Sequence, residues 1–197
     1  MNYPLSPNGV FWTVNGEGTL TGKQMCFVRL AGCSVGCPMC DTDYSVSERV
    51  DAYEIVRRAK ACIPANCSEP WVWLTGGEPL DHDLGELIRA IRSAGIRIAL
   101  ATSGHKENRH RLEWISVSPH DPSKWLIRRG DELKLVPSLN GFSLADFEPH
   151  LDDAEFSYWW VMPCDGQPDS LSECLEFCRR HPDFRLGVQV HKLVGLP

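Results

Sequence analysis

Seven short apolar stretches, separated by helical or turn-forming segments, recur along the 197 residues, and this alternation limits the possible folds more than any other feature. They lie at residues 25–30, 71–75, 96–101, 114–117, 132–136, 156–162 and 184–190. Strands that alternate with crossover segments form right-handed βαβ units and a parallel sheet. The segments between the stretches are too short for the eight complete repeats of a closed barrel. The sequence therefore predicts an α/β fold, in one domain over residues 1–197, without a full eightfold barrel.

Three segments between the stretches show helical periodicity, at residues 51–62, 83–94 and about 168–181. Asp51 is a suitable N-cap for the first helix, because its carboxylate can accept a hydrogen bond from the first turn. Gly95 follows the second helix, where a glycine commonly ends a helix. Residues 8–24 predict a strand followed by a polar, glycine-rich turn.

Charge and composition narrow the possible partners. The formal net charge is −6, and basic residues occur only in short pairs such as Arg57-Arg58. Proteins that bind nucleic acid usually carry a basic face, so direct binding to nucleic acid is not expected. No apolar run approaches the roughly 20 residues that cross a bilayer, and no secretory signal begins the sequence. We therefore expect a cytoplasmic protein without a membrane contact, and its nine cysteines fit that reducing compartment.

The motif C-x3-C-x2-C, formed by Cys33, Cys37 and Cys40, directly follows the first apolar stretch. Three thiolates on a short loop can hold three irons of a cubic [4Fe-4S] cluster. The fourth iron then keeps an open position, which distinguishes a reactive metal centre from a closed structural one. A zinc site would need a fourth ligand, and Asp41 and Asp43 are poorer partners than cysteine or histidine. Spacing alone leaves zinc or incidental thiols open.

The other cysteines favour packing rather than metal binding. Cys26 falls within the first apolar stretch, where we expect a buried thiol that behaves as a small apolar side chain. Cys174 and Cys178 lie four residues apart, on one face of the third predicted helix. A second cluster that includes Cys164 is the alternative, and core packing is favoured because no close-spaced third thiol shares that loop. Residues 156–162, aromatic and continuous, predict a strand buried on both faces.

Several motifs resemble one enzyme family. The cysteine spacing resembles the signature of the radical S-adenosylmethionine (SAM) enzymes, and the surrounding sequence is similar to the 7-carboxy-7-deazaguanine synthase family of that superfamily. The similar stretches, in the family's order, are FWTVNGEG (11–18), FVRLAGC (27–33), CDT (40–42), LTGGEP (74–79), WISVSP (114–119), ELKLV (132–136) and VQVHK (188–192). The resemblance implies an incomplete, curved parallel (β/α) barrel of the radical SAM type, with fewer helices than usual. It also implies a homodimer.

The resemblance implies a lyase reaction in queuosine and 7-deazaguanine biosynthesis. The substrate would be 6-carboxy-5,6,7,8-tetrahydropterin, and ring contraction with loss of ammonia would give 7-carboxy-7-deazaguanine. A reduced [4Fe-4S] cluster would cleave SAM at its open iron, and the resulting radical would take a hydrogen atom from the pterin. No side chain is then assigned as the catalyst. The implied partners and cofactors also include Mg²⁺ and an electron donor such as flavodoxin or ferredoxin.

The SAM site is expected where strands end. Gly76 and Gly77 follow the second apolar stretch, where a glycine pair lets the backbone approach a ligand, although such pairs also form ordinary turns. The resemblance assigns residues 76–78 to SAM, with Glu78 and the backbone holding the methionine amino group. Ser103 and Ser118 follow the next two strands and are candidates to reach SAM, although serines there are more often turn residues.

Substrate and Mg²⁺ contacts rest mainly on the resemblance. By itself Glu17 is a solvated turn carboxylate, and Arg29 is either a surface charge or a planar group that grips a carboxylate. The family usually has Gln where this chain has Asn15, so an amide is retained on a shorter side chain. The resemblance assigns substrate contacts to Asn15, Glu17, Arg29, Thr75, His191 and Pro197, and a Mg²⁺ contact to Thr42.

Two other functions are compatible with the cysteine motif. A radical SAM activase would place a glycyl radical on a partner protein, and it would need neither Glu17 nor Arg29. A non-catalytic iron–sulfur or zinc sensor would not cleave SAM. Product analysis after anaerobic reconstitution separates these alternatives.

Overall fold

The computed structural model describes residues 1–196, which contain one nine-stranded sheet. The strands are β1 (Asn2–Val14), β2 (Gln24–Leu30), β3 (Glu48–Asp51), β4 (Trp71–Gly76), β5 (Arg97–Thr102), β6 (Trp114–Val117), β7 (Arg129–Leu135), β8 (Glu155–Val161) and β9 (Phe184–Leu186). The α-helices are α1 (Ala52–Cys62), α2 (Gly85–Ser93), α3 (Ser170–Arg180) and α4 (Val190–Leu193). The strand order is β3-β1-β2-β4-β5-β6-β7-β8-β9.

The parallel part of the sheet consists of β2 and of β4 to β9, each paired with the next in the chain. These strands coincide with the seven apolar stretches of the sequence, so the predicted α/β fold with a parallel sheet is confirmed. Within residues 1–196 the sheet is open, because β3 and β9 are its two edges. Short 3₁₀ turns replace α-helices between β6 and β8, which makes the fold poorer in helices than a regular barrel.

The N-terminal strand is longer than expected, and one strand was not predicted. β1 pairs antiparallel with β2 on one side and with β3 on the other. Its register shifts between Leu5 and Val10, where Asn8 adopts a positive φ of 54°. β3 has four largely exposed residues. Such a strand carries no apolar pattern, which explains why the sequence did not reveal it.

The prediction for the last strand was wrong at its end. β9 ends at Leu186 rather than at residue 190, and α4 begins at Val190. The amide of Val190 donates a hydrogen bond of 2.9 Å to the carbonyl oxygen of Gly16, in the turn after β1. The chain leaves the sheet early because its final segment packs against that turn.

The helices begin and end close to the predicted residues. The side chain of Asp51 accepts a hydrogen bond of 2.8 Å from the amide of Glu54, so the predicted N-cap of α1 is confirmed. Gly95 follows α2 with a φ of 75°, as expected for a glycine beyond a helix end. None of the helices in residues 1–196 is long and apolar enough to span a bilayer.

Two apolar cores cover the outer face of the sheet. α1 and α2 pack over β1, β2, β4 and β5, and α3 packs over β8 and β9. Cys26 and Cys174 are fully buried in these cores, and Cys178 packs beside Cys174, which confirms the packing prediction for these thiols. The prediction that β8 is buried on both faces was wrong, since Ser157 is exposed and the next three residues are half-buried.

Candidate active site

A cavity of about 870 Å³ opens where the parallel strands end at their carboxyl termini. This is the edge where parallel α/β sheets and barrels place their ligands. Every site residue that the sequence predicts within residues 1–196 lines this cavity: Asn15, Glu17, Arg29, Cys33, Cys37, Cys40, Thr42, Thr75, Gly76, Gly77, Glu78, Ser103, Ser118 and His191. The predicted contact of Pro197 lies outside the described residues.

The cluster loop, residues 33–40, holds its three thiols at the cavity wall. Gly32, just before the loop, has a φ of 87°, and Gly36, between Cys33 and Cys37, has a φ of 65°. A glycine adopts such values without strain, so the chain can turn at both positions. Cys37 is 8% exposed, Cys33 is half-buried and Cys40 is exposed. None of the nine cysteines, all within residues 1–196, forms a disulfide bond. The loop therefore offers three available thiols to one region of the cavity.

Cys37 has a histidine neighbour that the sequence did not reveal. The Nδ1 atom of His120 lies 2.9 Å from the sulfur of Cys37. Burial, together with the nearby Cys40 and Cys33, raises the pKa of Cys37 to about 12. Burial lowers the pKa of His120 to about 4, and Lys134 adds to that shift. The imidazole is therefore neutral near pH 7, and its tautomer decides whether Nδ1 accepts the S–H of Cys37 or donates an N–H to the sulfur.

The turn of Gly76, Gly77 and Glu78 packs directly on the start of the cluster loop. The amide of Gly77 donates to the carbonyl oxygen of Leu30 at 2.8 Å, and the amide of Glu78 donates to that of Gly32 at 2.9 Å. A Cβ atom on Gly77 would lie 1.8 Å from the Gly32 oxygen. The absence of a side chain at Gly77 therefore allows the backbone of this turn to contact the backbone at the start of the cluster loop. This packing role is separate from the predicted contact of the glycines with a ligand.

Glu78 is saturated by partners from its own chain. Its carboxylate accepts hydrogen bonds from the hydroxyl of Thr102 at 2.7 Å, from the amide of Leu80 at 3.0 Å, and from the amide and hydroxyl of Ser103 at 2.8 and 2.6 Å. The residue is only 2% exposed. Because a carboxylate has about four acceptor positions, Glu78 would have to release one partner to bind an amino group directly.

The opposite wall of the cavity carries an ion pair. Lys134 Nζ lies 2.8 Å from one carboxylate oxygen of Glu17, and the amide of Gln189 donates to the other oxygen at 2.8 Å. Burial by itself raises the pKa of Glu17, but the charge and hydrogen bond of Lys134 outweigh it and lower that pKa to about 2. Glu17 is therefore a fixed carboxylate at any pH used for an assay.

Other predicted substrate residues surround this pair. The guanidinium of Arg29 stacks over the ring of Phe11 at 4.7 Å. The Asn15 amide exchanges two hydrogen bonds of 3.2 Å with the backbone of Glu17, so it holds the main chain that carries this carboxylate. His191 lies so close to Gly16 that a Cβ there would come within 2.3 Å of its ring. This contact brings the C-terminal segment to the cavity.

Comparison with known proteins identifies the family. The sequence profile described as Radical SAM superfamily matches residues 28–118. A 7-carboxy-7-deazaguanine synthase of Burkholderia multivorans is 31% identical, with 95% of this chain and 97% of that protein covered. One of Bradyrhizobium diazoefficiens is 32% identical, with 95% and 96% covered. This chain belongs to the 7-carboxy-7-deazaguanine synthase family.

A solved structure supports the fold of this family member. The structure described as QueE from Escherichia coli has a TM-score of 0.69 to this chain, with 97% of this chain and 95% of that chain covered. Its sequence identity of 24% makes this a likeness of fold. The likeness therefore supports the fold of this chain and nothing beyond the fold.

The donor sets fit the groups that the family name implies. Within residues 1–196, no three or more side chains of His, Cys, Asp or Glu converge as the ligands of one ion. Thiolates of a cubic cluster bind different irons, so they need not meet at one point as zinc ligands do. For SAM, the cavity offers backbone edges and hydroxyls at Gly76, Ser103 and Ser118. Thr42 offers one oxygen for Mg²⁺, beside Asp41.

The sequence missed four functional candidates of this 7-carboxy-7-deazaguanine synthase family member. Lys134 and Gln189 lie inside the motifs ELKLV and VQVHK, so these motifs are the sequence signal that indicates both residues. The structure places Lys134 in the cavity. His105 and His120 are lone loop histidines without a pattern. Only their contacts reveal them.

Proposed function

We propose that this protein is a radical SAM enzyme that converts 6-carboxy-5,6,7,8-tetrahydropterin to 7-carboxy-7-deazaguanine. One observation carries the proposal: a single cavity brings together the three cluster cysteines, the glycine turn and a wall of charged side chains. Its volume, about 870 Å³, is within the range of about 300–1,000 Å³ common for ligand sites. Membership in the 7-carboxy-7-deazaguanine synthase family supports the reaction.

The three cluster cysteines and the turn of residues 76–78 form the part of the site where the radical would be generated. Cys33, Cys37 and Cys40 hold the cluster in this proposal, and the turn with Ser103 and Ser118 orients SAM. The cluster, when bound and reduced, supplies the electron that makes SAM a source of a hydrogen-abstracting radical. The chain itself contributes orientation and exclusion of water, as proteins do for such cofactors. The contacts between the turn and the start of the cluster loop set the distance between the two.

The charged wall of the cavity forms the part of the site that would bind the substrate. Arg29 is half-buried, and burial lowers its pKa although the charge of Asp41 acts in the opposite direction. A buried guanidinium is most stable beside an anion, and its planar edge matches a carboxylate. We propose that it binds the pterin carboxylate. Glu17 would accept hydrogen bonds from pterin N–H groups, with Lys134 and Gln189 fixing its orientation. Thr75 and His191 complete this wall.

Several finer points belong to the proposal. Thr42 would bind Mg²⁺ through its hydroxyl, with substrate oxygens and waters as the other ligands, since Mg²⁺ prefers oxygen and keeps several waters. The reductant would be a small one-electron carrier such as flavodoxin or ferredoxin. We propose that the 197 residues act as one radical SAM domain and assemble as a homodimer. Neither the activase nor the sensor function gains a specific observation.

The test is anaerobic reconstitution with iron, sulfide, a reductant, SAM, Mg²⁺ and the carboxypterin. We expect product of the mass of 7-carboxy-7-deazaguanine. Arg29→Met should cleave SAM but lose about a hundredfold in kcat/KM for the pterin, because a buried charge pair lost on one side costs about 2–5 kcal/mol. Arg49→Met is the matched control on exposed β3 and should leave kcat/KM unchanged.

Two outcomes would contradict the proposal. If SAM is cleaved, carboxypterin is untouched and a partner protein gains a glycyl radical, the protein is an activase. If a protein with full iron and sulfide content does not cleave SAM, the protein is not a radical enzyme.

A further inference from the structure

His105 connects the cluster loop to the glycine turn through both of its ring nitrogens. Nε2 lies 2.7 Å from the hydroxyl oxygen of Ser34, the residue after Cys33. Nδ1 lies 2.6 Å from the hydroxyl oxygen of Ser103, which also contacts Glu78. The side chain of His105 is 16% exposed. One imidazole therefore spans the two segments that the proposed function assigns to the cluster and to SAM.

The proton donors in this chain of contacts can be assigned by counting. The Ser34 hydroxyl lies 2.7 Å from a carboxylate oxygen of Asp81, and the Ser103 hydroxyl lies 2.6 Å from one of Glu78. An ionised carboxylate only accepts, and a hydroxyl has one proton. Each serine therefore donates to its carboxylate and accepts from His105. Both ring nitrogens are then hydrogen-bond donors in this chain of contacts.

Both carboxylates in this chain of contacts lie close to the ring. Carboxylate oxygens of Glu78 and Asp81 lie 3.8 and 3.7 Å from the ring nitrogens. The ammonium of Lys106 pairs with the same Asp81 carboxylate at 2.6 Å. His120, Asp121 and Lys124 share with His105 a small polar cavity of about 30 Å³, enough for one water. The ring thus lies between two carboxylates.

We propose that His105 is a positioning residue that sets the cluster loop against the SAM-binding turn. This inference rests on the proposed function of the cavity and deepens it. Its ring fixes Ser34, and with it the start of the cluster loop, relative to Ser103 and Glu78. Reacting groups misplaced by about 1 Å can lose about a hundredfold in rate. The backbone contact between Glu78 and Gly32 exists without His105, so the fold does not depend on this ring.

The test compares His105→Gln with His110→Gln in anaerobically reconstituted protein. A glutamine side chain has a donor at one side and an acceptor at the other, so it cannot donate to both serines. His110 is a matched control, because its hydrogen bonds to the Asn108 side chain are made by the His110 backbone and not by its ring. We expect H105Q to keep its iron and sulfide, to bind SAM about tenfold more weakly, and to lose the change that SAM causes in the electron paramagnetic resonance spectrum of the reduced cluster. H110Q should match the native protein.

A second variant separates positioning from general destabilisation. Ser34→Ala removes the hydroxyl that His105 Nε2 contacts in the cluster loop. If both residues act through this one contact, the double variant H105Q/S34A should bind SAM no more weakly than H105Q alone. Additive losses would overturn the proposal, as would an H105Q protein that loses its iron or one that binds SAM within twofold of the native affinity. If the native protein, fully loaded with iron, does not bind SAM, the proposed function fails rather than the role of His105.

Discussion

Replacing Lys134 by methionine tests whether the charged wall of the cavity is held together by one ion pair. The ammonium of Lys134 lies 2.8 Å from the Glu17 carboxylate, and the two side chains are 8% and 26% exposed. Removing one partner of a fully buried pair costs about 3–5 kcal/mol, because the remaining charge is left without compensation. Since Glu17 keeps some contact with solvent and its bond from Gln189, we expect a loss of about 2–3 kcal/mol.

Urea unfolding measures this loss. With an m-value of about 2 kcal/mol per molar, the midpoint of K134M should fall by about 1 M at pH 7.5, followed anaerobically by tryptophan fluorescence. Lys124→Met is the control, because Lys124 is 71% exposed and its ion pair with Asp121 is 3.2 Å long. Such a surface pair contributes less than about 1 kcal/mol.

A double variant tests the cause. Glu17→Gln removes the charge that K134M leaves uncompensated, so E17Q/K134M should recover part of the lost stability. If K134M and K124M have the same midpoint, or if the double variant is less stable than K134M, the ion pair does not stabilise this wall and our reasoning is wrong.

Three further predictions concern the cluster loop, the turn and pH. Cys37→Ala should lose most of the reconstituted iron and the broad absorbance near 400 nm, whereas Cys174→Ala, in the apolar core, should keep the native iron content per folded protein. Gly77→Ala should lower iron content and SAM cleavage together, because its Cβ would overlap the backbone oxygen of Gly32. Gly85→Ala is the control and should behave as native, because its Cβ would meet only side-chain atoms, the nearest an Asp83 oxygen at 3.2 Å. The folded pKa of Glu17, about 2, lies below its ordinary value of 4.5, so its stabilisation is complete above about pH 4.5 and is lost as the pH falls toward 2. The difference in unfolding free energy between native protein and E17Q should therefore shrink over that interval, and a difference that stays constant or grows would contradict the assigned charge state.

Strand periodicity was sufficient for most of the fold because each parallel strand contributes buried apolar residues to a core. The side chains of a buried strand must be apolar to be stable away from water. Such a strand is therefore recognisable from its own residues, without knowledge of the strands beside it. β3 escaped prediction for the opposite reason, since it is a short, exposed edge strand held by backbone hydrogen bonds to β1. The end of β9 was misplaced because the amide of Val190 bonds to Gly16, a residue distant in sequence.

The sequence by itself determined the seven parallel strands, the three thiols that follow the first of them, and the family, because each is written in local residue types and spacings. Only the tertiary structure decided which side chains those residues meet. It showed that Glu17 is held by Lys134 and Gln189, that Glu78 is saturated by its own chain, and that His105 joins the two halves of the site. Such contacts arise where loops from distant strands meet at one edge of a sheet, and no local pattern specifies that meeting.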